Sequence, residues 1–406
     1  SGNGQIRYGA DVINRIIEQG RTGGKKKLQD AIVKETLVPI IANLCKTAGI
    51  SARSILRLCV AANTTMNHLF VGVDAEPVRM EPYIPSFFGW EGLLAGDLKL
   101  PANPLADVVI APNIGSYVGG DITAGTLAAG FWDKDEMSLF IDLGTNGELV
   151  FGNRDFLMSC ACSAGPAFEG GDISCGMRAT DGAVEACVID KDTMEPTMTI
   201  IGDEGQKPVG ICGSGIIDII SELFRCSIIN ARGLFDREGD RVKRDAHGMG
   251  RYVLAFAEES ETGREVSINE VDIDNFIRAK GAIFSAIDTL LQSVDMTVDC
   301  IDKVYVAGGI GSVVCTRFFP LQAITLRHNL AVHIALVCAV VGVGIDAVLV
   351  TGDGHTREQA GIGVRSVILL YQCSIGLCCC FCEKRRRLHG IYITKNIGNL
   401  FCSGEN

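Results

Sequence analysis

The chain has 406 residues, 47% hydrophobic and 21% charged, with a formal net charge of −11, a length that buries one large core or, as the better expectation, two ordinary ones. The acidic balance argues against nucleic acid, and the short runs Lys25 to Lys27 and Lys384 to Arg387 read as solvated flanks. No secretory signal is readable at the start, and 17 cysteines scattered through apolar segments read as reduced thiols of a cytoplasmic protein.

Ile6, Val12, Ile13, Ile16 and Ile17 recur at helical spacing, and Leu28, Ile32, Leu37, Ile40, Ile41 and Leu44 form a second stripe, so two helices are predicted over residues 1–20 and 27–47. Residues 57–61 predict a strand that ends at Asn63, Thr64 and Thr65 before a helix over 66–70. Prolines 82, 85, 101, 104 and 112 break up residues 80–115, and a first domain boundary is expected near residue 98. A strand over 108–111 then leads through Gly119, Gly120 and Asp121 into a small-residue helix, 124–130. Next, a strand ending at Asp142 and a returning strand over 148–152 predict a hairpin with Gly147 in its turn. Residues 163–179 are too rich in glycine for a regular element and too long for an idle turn, as functional loops are. Strands follow around 186–189 and 198–201, then a helix over 216–224, a long helix near 268–294 and a strand over 304–307.

Three glycine-rich pieces carry the chemistry: FIDLGTNGELV (140–150), GICGSG (210–215) and VYVAGGIGS (304–312). Each adjoins a β-branched apolar run, as a buried strand breaking into a turn does. Asp142 leaves its strand before Gly144, Thr145 and Asn146, a grouping suited to a phosphate and its Mg²⁺, although a lone aspartate here also reads as a turn residue. Gly213, Ser214 and Gly215 open a helix, the seat of an anion or, without ligand, of close helix-to-sheet packing. Gly308, Gly309 and Gly311 let a flat ring such as adenine approach the backbone. Thr64 fits a phosphate contact or a helix start, and Glu148 and Glu169 are the carboxylates placed to orient water, or else a cap and a loop residue. There is no G-x-x-x-x-G-K-[ST], no H-E-x-x-H and no nucleophile elbow, and the cysteines from Cys373 to Cys382 match no iron–sulfur spacing.

With IRYGADVINRI (6–16), AANTTMNHLFVGVD (61–74), APNIGSYVGGDITAG (111–125), SAGPAFEGGDISCGMRA (163–179), GICGSGIIDII (210–220) and KVYVAGGIG (303–311), the chain resembles the ATP-dependent reductive activators of corrinoid proteins, members of the actin-like ATPase superfamily. The resemblance covers about residues 4–312. It implies an α/β, two-lobed actin-like fold of mixed sheets flanked by helices: a first lobe over 1–98, a second over 99–312, and a cysteine-rich apolar tail over 313–406. It implies ATP and Mg²⁺ as cofactors, a corrinoid protein and a second copy of the chain as partners, and reduction of cob(II)alamin to cob(I)alamin in support of methyl transfer. Asp142 then serves catalysis and the metal with Glu148 beside it; Gly144, Thr145 and Asn146 form the second-lobe phosphate loop; Gly308, Gly309 and Gly311 form the adenosine turn. Alternatives on the same fold are a non-catalytic module that docks a corrinoid protein or holds a dimer, and a small-molecule kinase.

Two departures bear on activity. The family's first-lobe phosphate loop, Asp-x-Gly-Thr-Thr, is expected just before residues 8–16, and the sequence from Ser1 lacks it. A truncated member is therefore expected, whose [2Fe–2S] group belongs to a missing N-terminal domain and which binds ATP poorly. After Ser312 the family pattern fades, and the apolar stretches 331–350 and 367–382 read as a divergent or frame-shifted tail, a buried helix pair, or a membrane hairpin. Against the membrane stand His333 and Asp346, costly in hydrocarbon.

Overall fold

The structure, a computed structural model, describes residues 3–9, 11–144 and 146–308, together with strands at 333–334, 347–352 and 366–371. It divides into two compact units, one of residues 1–124 with 344–406 and the other of residues 125–343.

In the first unit, Asp11 caps helix α1 (Val12–Gln19) by accepting from the Asn14 N–H at 2.8 Å. Helix α2 (Gly24–Ile32) passes through a π turn (Val33–Leu37) into α3 (Val38–Ala48). Pro39 lies in the first turn of α3 and has no N–H to donate, which accounts for the wider turn before it. The predicted stripe is real, since Leu28, Ile32, Leu37 and Ile41 are wholly buried. Strand β1 (Ile55–Ala61) runs into α4 (Thr64–Val71), capped by Asn63, and α5 (Glu76–Arg79) follows. Strand β2 (Asp107–Ile110) lies parallel to β1, with Arg57 and Asp107 opposite and 3.0 Å apart as an ion pair. The strands 347–352 and 366–371 complete this sheet, the former antiparallel to β1. Two pieces of the apolar tail therefore pair as strands rather than helices. No helix of the described residues is long and apolar enough to cross a membrane.

The boundary expected near residue 98 falls inside this unit's core. Leu93, Leu98, Leu100, Val108 and Ile110 are packed in one cluster with Ile16, Leu28 and Leu69. The prolines and glycines there shape loops that fold back onto the unit; the division comes instead within α6 (Gly120–Ala129).

In the second unit, β3 (Ser138–Leu143), β4 (Gly147–Gly152) and β5 (Leu157–Cys162) form an antiparallel meander. Strands β6 (Ala183–Ile189), β7 (Pro196–Ile200) and β8 (Gly210–Ile211) form a second sheet in the order β7-β6-β8, and α7 (Gly213–Arg225) packs on β6. A third sheet holds β9 (Val242–Arg244), β10 (Gly250–Ala255) and β11 (Val266–Asn269). The long helix begins after β11, not at residue 268: Asn269 and Asp272 form a capping box that starts α8 (Glu270–Gln292). Strand β12 (Lys303–Ala307) lies parallel to β3, and β13 (His333–Ile334) parallel to β12, giving the order β13-β12-β3-β4-β5. One apolar core joins these parts, with Ile141, Leu149, Ile216, Ile283 and Val306 in a single cluster.

Candidate functional site

Every position of β3 is buried, including Asp142, which is 8% exposed one residue before the strand ends. A carboxylate so placed among Leu139, Phe140, Ile141 and Leu143 is costly unless hydrogen-bonded or matched by a cation. The register sets Glu148 of β4 directly opposite Asp142, so the two carboxylates emerge on the same face, and Ala307 of β12 flanks Asp142 on the other side. The turn between β3 and β4 is tight, with the Gly144 N–H donating to the Asn146 carbonyl at 3.1 Å. At its far end Gly147 must stay small: a Cβ there would lie 2.8 Å from Cys162 Sγ and 3.1 Å from Ile283 of α8.

The chain leaves β12 through Gly308 at φ +90°. A Cβ on Gly308 would lie 2.6 Å from the Leu143 carbonyl oxygen and 2.9 Å from Asp142 Oδ1. Two glycine turns far apart in sequence thus meet at one carboxylate, beyond the carboxyl ends of two adjacent parallel strands, where open α/β sheets bind their ligands. Asp142, Glu148, Gly144, Asn146 and Gly308 are gathered here. Thr145, Gly309 and Gly311 lie outside the described residues, as does the Glu169 side chain.

GICGSG serves a different contact. Gly213, Ser214 and Gly215 are buried at the start of α7, and a Cβ on Gly215 would lie 2.1 Å from the Val184 carbonyl oxygen of β6. The helix can approach the sheet this closely only because residue 215 has no side chain. The Ser214 hydroxyl is 3.2 Å from Cys212 Sγ.

Thr64 sits in the first unit, beyond the ends of the parallel pair β1 and β2. Its hydroxyl donates to the Gly115 carbonyl at 2.6 Å, tying α4 to the loop after β2. Sequence spacing gave no hint of the polar cluster around it. Asn67 is fully buried and donates to the Ala62 carbonyl and to Asn113 Oδ1. His68, also fully buried, stacks on Phe87 with ring centroids 4.3 Å apart; its Nδ1 is 2.7 Å from the Thr64 carbonyl and its Nε2 accepts from the Ser86 N–H. That pattern requires a neutral ring protonated on Nδ1, and burial holds the His68 pKa below its ordinary value. Asp121, which spacing marks only as a helix start, is buried and pushed up to about 6 by desolvation, against the backbone N–H bond it accepts from Ile122 at 2.9 Å.

Comparison with known proteins places these features in context. A model of the RACo middle region matches residues 1–134, and a model of the C-terminal domain of RACo, the ASKHA domain, matches residues 136–318. The corrinoid activation enzyme RamQ of Eubacterium limosum is 34% identical over 324 residues, which span 77% of this chain and 53% of RamQ. The [Co(II) methylated amine-specific corrinoid protein] reductase of Methanosarcina barkeri is 26% identical over 226 residues, 51% of this chain and 38% of the reductase. Among solved structures, a reductive activator for corrinoid, iron–sulfur protein matches with a TM-score of 0.66 and 45% identity, over 76% of this chain and 49% of its own. The chain thus spans about half the length, or less, of these relatives.

Proposed function

This chain belongs to the RACo family of reductive activators of corrinoid proteins and has its actin-like ATPase (ASKHA) fold, and on that premise we propose that it is the ATP-using part of such an activator. In this reading it acts on a corrinoid protein, in the cytoplasm and as a homodimer, and makes the uphill reduction of cob(II)alamin to cob(I)alamin possible. The observation that carries the reading is the junction of Asp142 with the Gly308 turn.

The residues present fit Mg²⁺ and a nucleotide. Asp142 supplies a hard oxygen donor, as Mg²⁺ requires, with Glu148 beside it on the same face, and phosphate oxygens and water would complete the metal's shell. When bound, Mg–ATP supplies a ligand whose affinity differs between two conformations and which hydrolysis removes. Asp142 would hold the metal, Glu148 would orient the attacking water as a base, and the 144–146 turn would bind phosphate. Glycine at 308 keeps the space before Asp142 clear for the nucleotide. Among the described residues no three His, Cys, Asp or Glu side chains gather as a metal site.

Titration of the full chain with a fluorescent ATP analogue and Mg²⁺ tests this. Removing a metal-binding carboxylate by Asp142→Ala is expected to weaken binding at least about tenfold, in line with the strength of charged contacts. Binding that is indifferent to both Mg²⁺ and Asp142 would sink the site. Binding without phosphate release favours the docking module, and phosphate transfer to a sugar or carboxylate favours the kinase.

A further inference from the structure

Two loops of the first unit, 80–92 and 111–119, present aromatic and aliphatic side chains to solvent: Tyr83, Ile84, Phe88, Trp90, Ile114 and Tyr117 are between 37% and 58% exposed. They form one surface. The Ser116 hydroxyl donates to the Tyr83 carbonyl at 2.6 Å, the Asn113 N–H donates to the Phe88 carbonyl at 2.7 Å, and the Tyr83 and Tyr117 rings lie 6.3 Å apart. Such a grouping is unusual on a solvated face.

The patch is held rigid from beneath. His68 takes the Ser86 N–H and stacks on Phe87, whose ring meets Trp90 edge-on at 5.1 Å. Asn67 bonds to Asn113, and the Thr64 hydroxyl holds Gly115. Tyr83 is fixed at φ +60°, a costly conformation for a bulky residue, and it keeps its ring outward. The buried polar face of α4 thus has a use: it pre-orders two apolar loops, so that little entropy is lost when something covers them.

Charge selects the occupant. Neither loop contains a lysine or arginine, while Glu81 and Glu91 are exposed on the first. A second copy would set the acidic border of Glu81 and Glu91 against itself, and anionic lipid or nucleic acid would be repelled. The complement is a protein with an apolar centre rimmed by Lys or Arg, the pattern in which exposed Tyr and Trp act as anchors. We propose that the 80–92 and 111–119 loops are the docking surface for the corrinoid protein. This inference rests on the function proposed above.

The test is biolayer interferometry of the full chain against two probes, a corrinoid iron–sulfur protein and a methylated-amine-specific corrinoid protein. Ile84→Lys and Tyr117→Lys alter exposed side chains, and Phe224→Lys, on an exposed site of the other unit, is the control. The patch variants are expected to bind the better probe about thirtyfold more weakly, the scale of an interface anchor. Their melting temperatures and ATP-analogue binding should match wild type, and the control should bind normally. Unchanged affinity in the patch variants, with wild type binding, overturns the docking surface and leaves the parent reading intact. Failure of the wild-type chain to bind either probe overturns both. If the lysines instead dissociate a dimer of this chain, the occupant is a second copy and the proposal is wrong.

Discussion

Replacing Gly308 by alanine perturbs the junction on which the candidate site depends. At φ +90° an L side chain costs about 1–2 kcal/mol in the backbone alone. The added methyl would also lie 2.6 Å from the Leu143 carbonyl oxygen and 2.9 Å from Asp142 Oδ1. The Leu143 oxygen is backbone, so the end of β3 or the turn after β12 must shift, an overpacking cost of about 1–3 kcal/mol, and the Asp142 carboxylate is pushed aside with it. Together these predict a loss of about 2–5 kcal/mol and a displaced Asp142. Gly263→Ala separates the two contributions, since Gly263 has φ +66° with nothing within 4 Å of the new Cβ, and only the backbone cost of about 1–2 kcal/mol applies. Urea unfolding measures the stabilities, and titration with a fluorescent ATP analogue measures the site. Gly308→Ala should lose more stability than Gly263→Ala and bind the analogue at least about tenfold more weakly, a shift of 1.4 kcal/mol or more. Equal losses in the two variants, with binding unchanged in both, would refute the reasoning.

Three further outcomes follow from buried groups. Because burial lowers the His68 pKa, the unfolded chain takes up that proton first; stability is full above about pH 6.5 and falls as the pH drops toward the folded value. His68→Gln should flatten this acid-side decline in melting temperature, and an identical decline in the variant would show that His68 is not its source. Asp121 acts with the opposite sign: its folded pKa of about 6 exceeds the unfolded value of about 3.9, so stability present in acid is lost as the pH rises between them. Asp121→Asn should therefore raise stability at pH 7 by up to about 3 kcal/mol in urea unfolding, and a loss there would contradict the assignment. Gly215→Ala should destabilise the second unit by about 3 kcal/mol or more, because its Cβ would meet the Val184 carbonyl. An unchanged melting curve with weaker nucleotide binding would instead give Gly215 to an anion site.

Much of the fold was legible because its elements are set by local chemistry. Asn63 before α4, the apolar stripe from Leu28 to Ile41, and the run ending at Asp142 each announce a helix start, a buried face or a buried strand. The boundary at 98 misled because prolines and glycines record where the chain turns, not which core its ends rejoin. The strands 347–352 and 366–371 were missed for a related reason: continuous apolar runs suit helix and buried strand alike, and pairing of the first with β1 and of the second with the first decides between them. The polar cluster of Asn67, His68 and Asn113 left no sequence signal, because the α4 pair Asn67 and His68 meets Asn113 and the Ser86–Phe87 loop only after folding.

The glycine turns show where local reading stops. Gly215 and Gly308 carry the same signature, a glycine beside an apolar strand, and both exclude a side chain by contact with a carbonyl oxygen. At Gly215 the near atoms are the backbone carbonyl of Val184 and the Ile211 side chain, so the absent side chain lets α7 settle on β6, and packing alone accounts for the residue. At Gly308 they include the carboxylate of Asp142, at the ends of two parallel strands. That difference is why Gly308, and not Gly215, enters the proposed nucleotide site, and the Gly308→Ala titration puts it to the test.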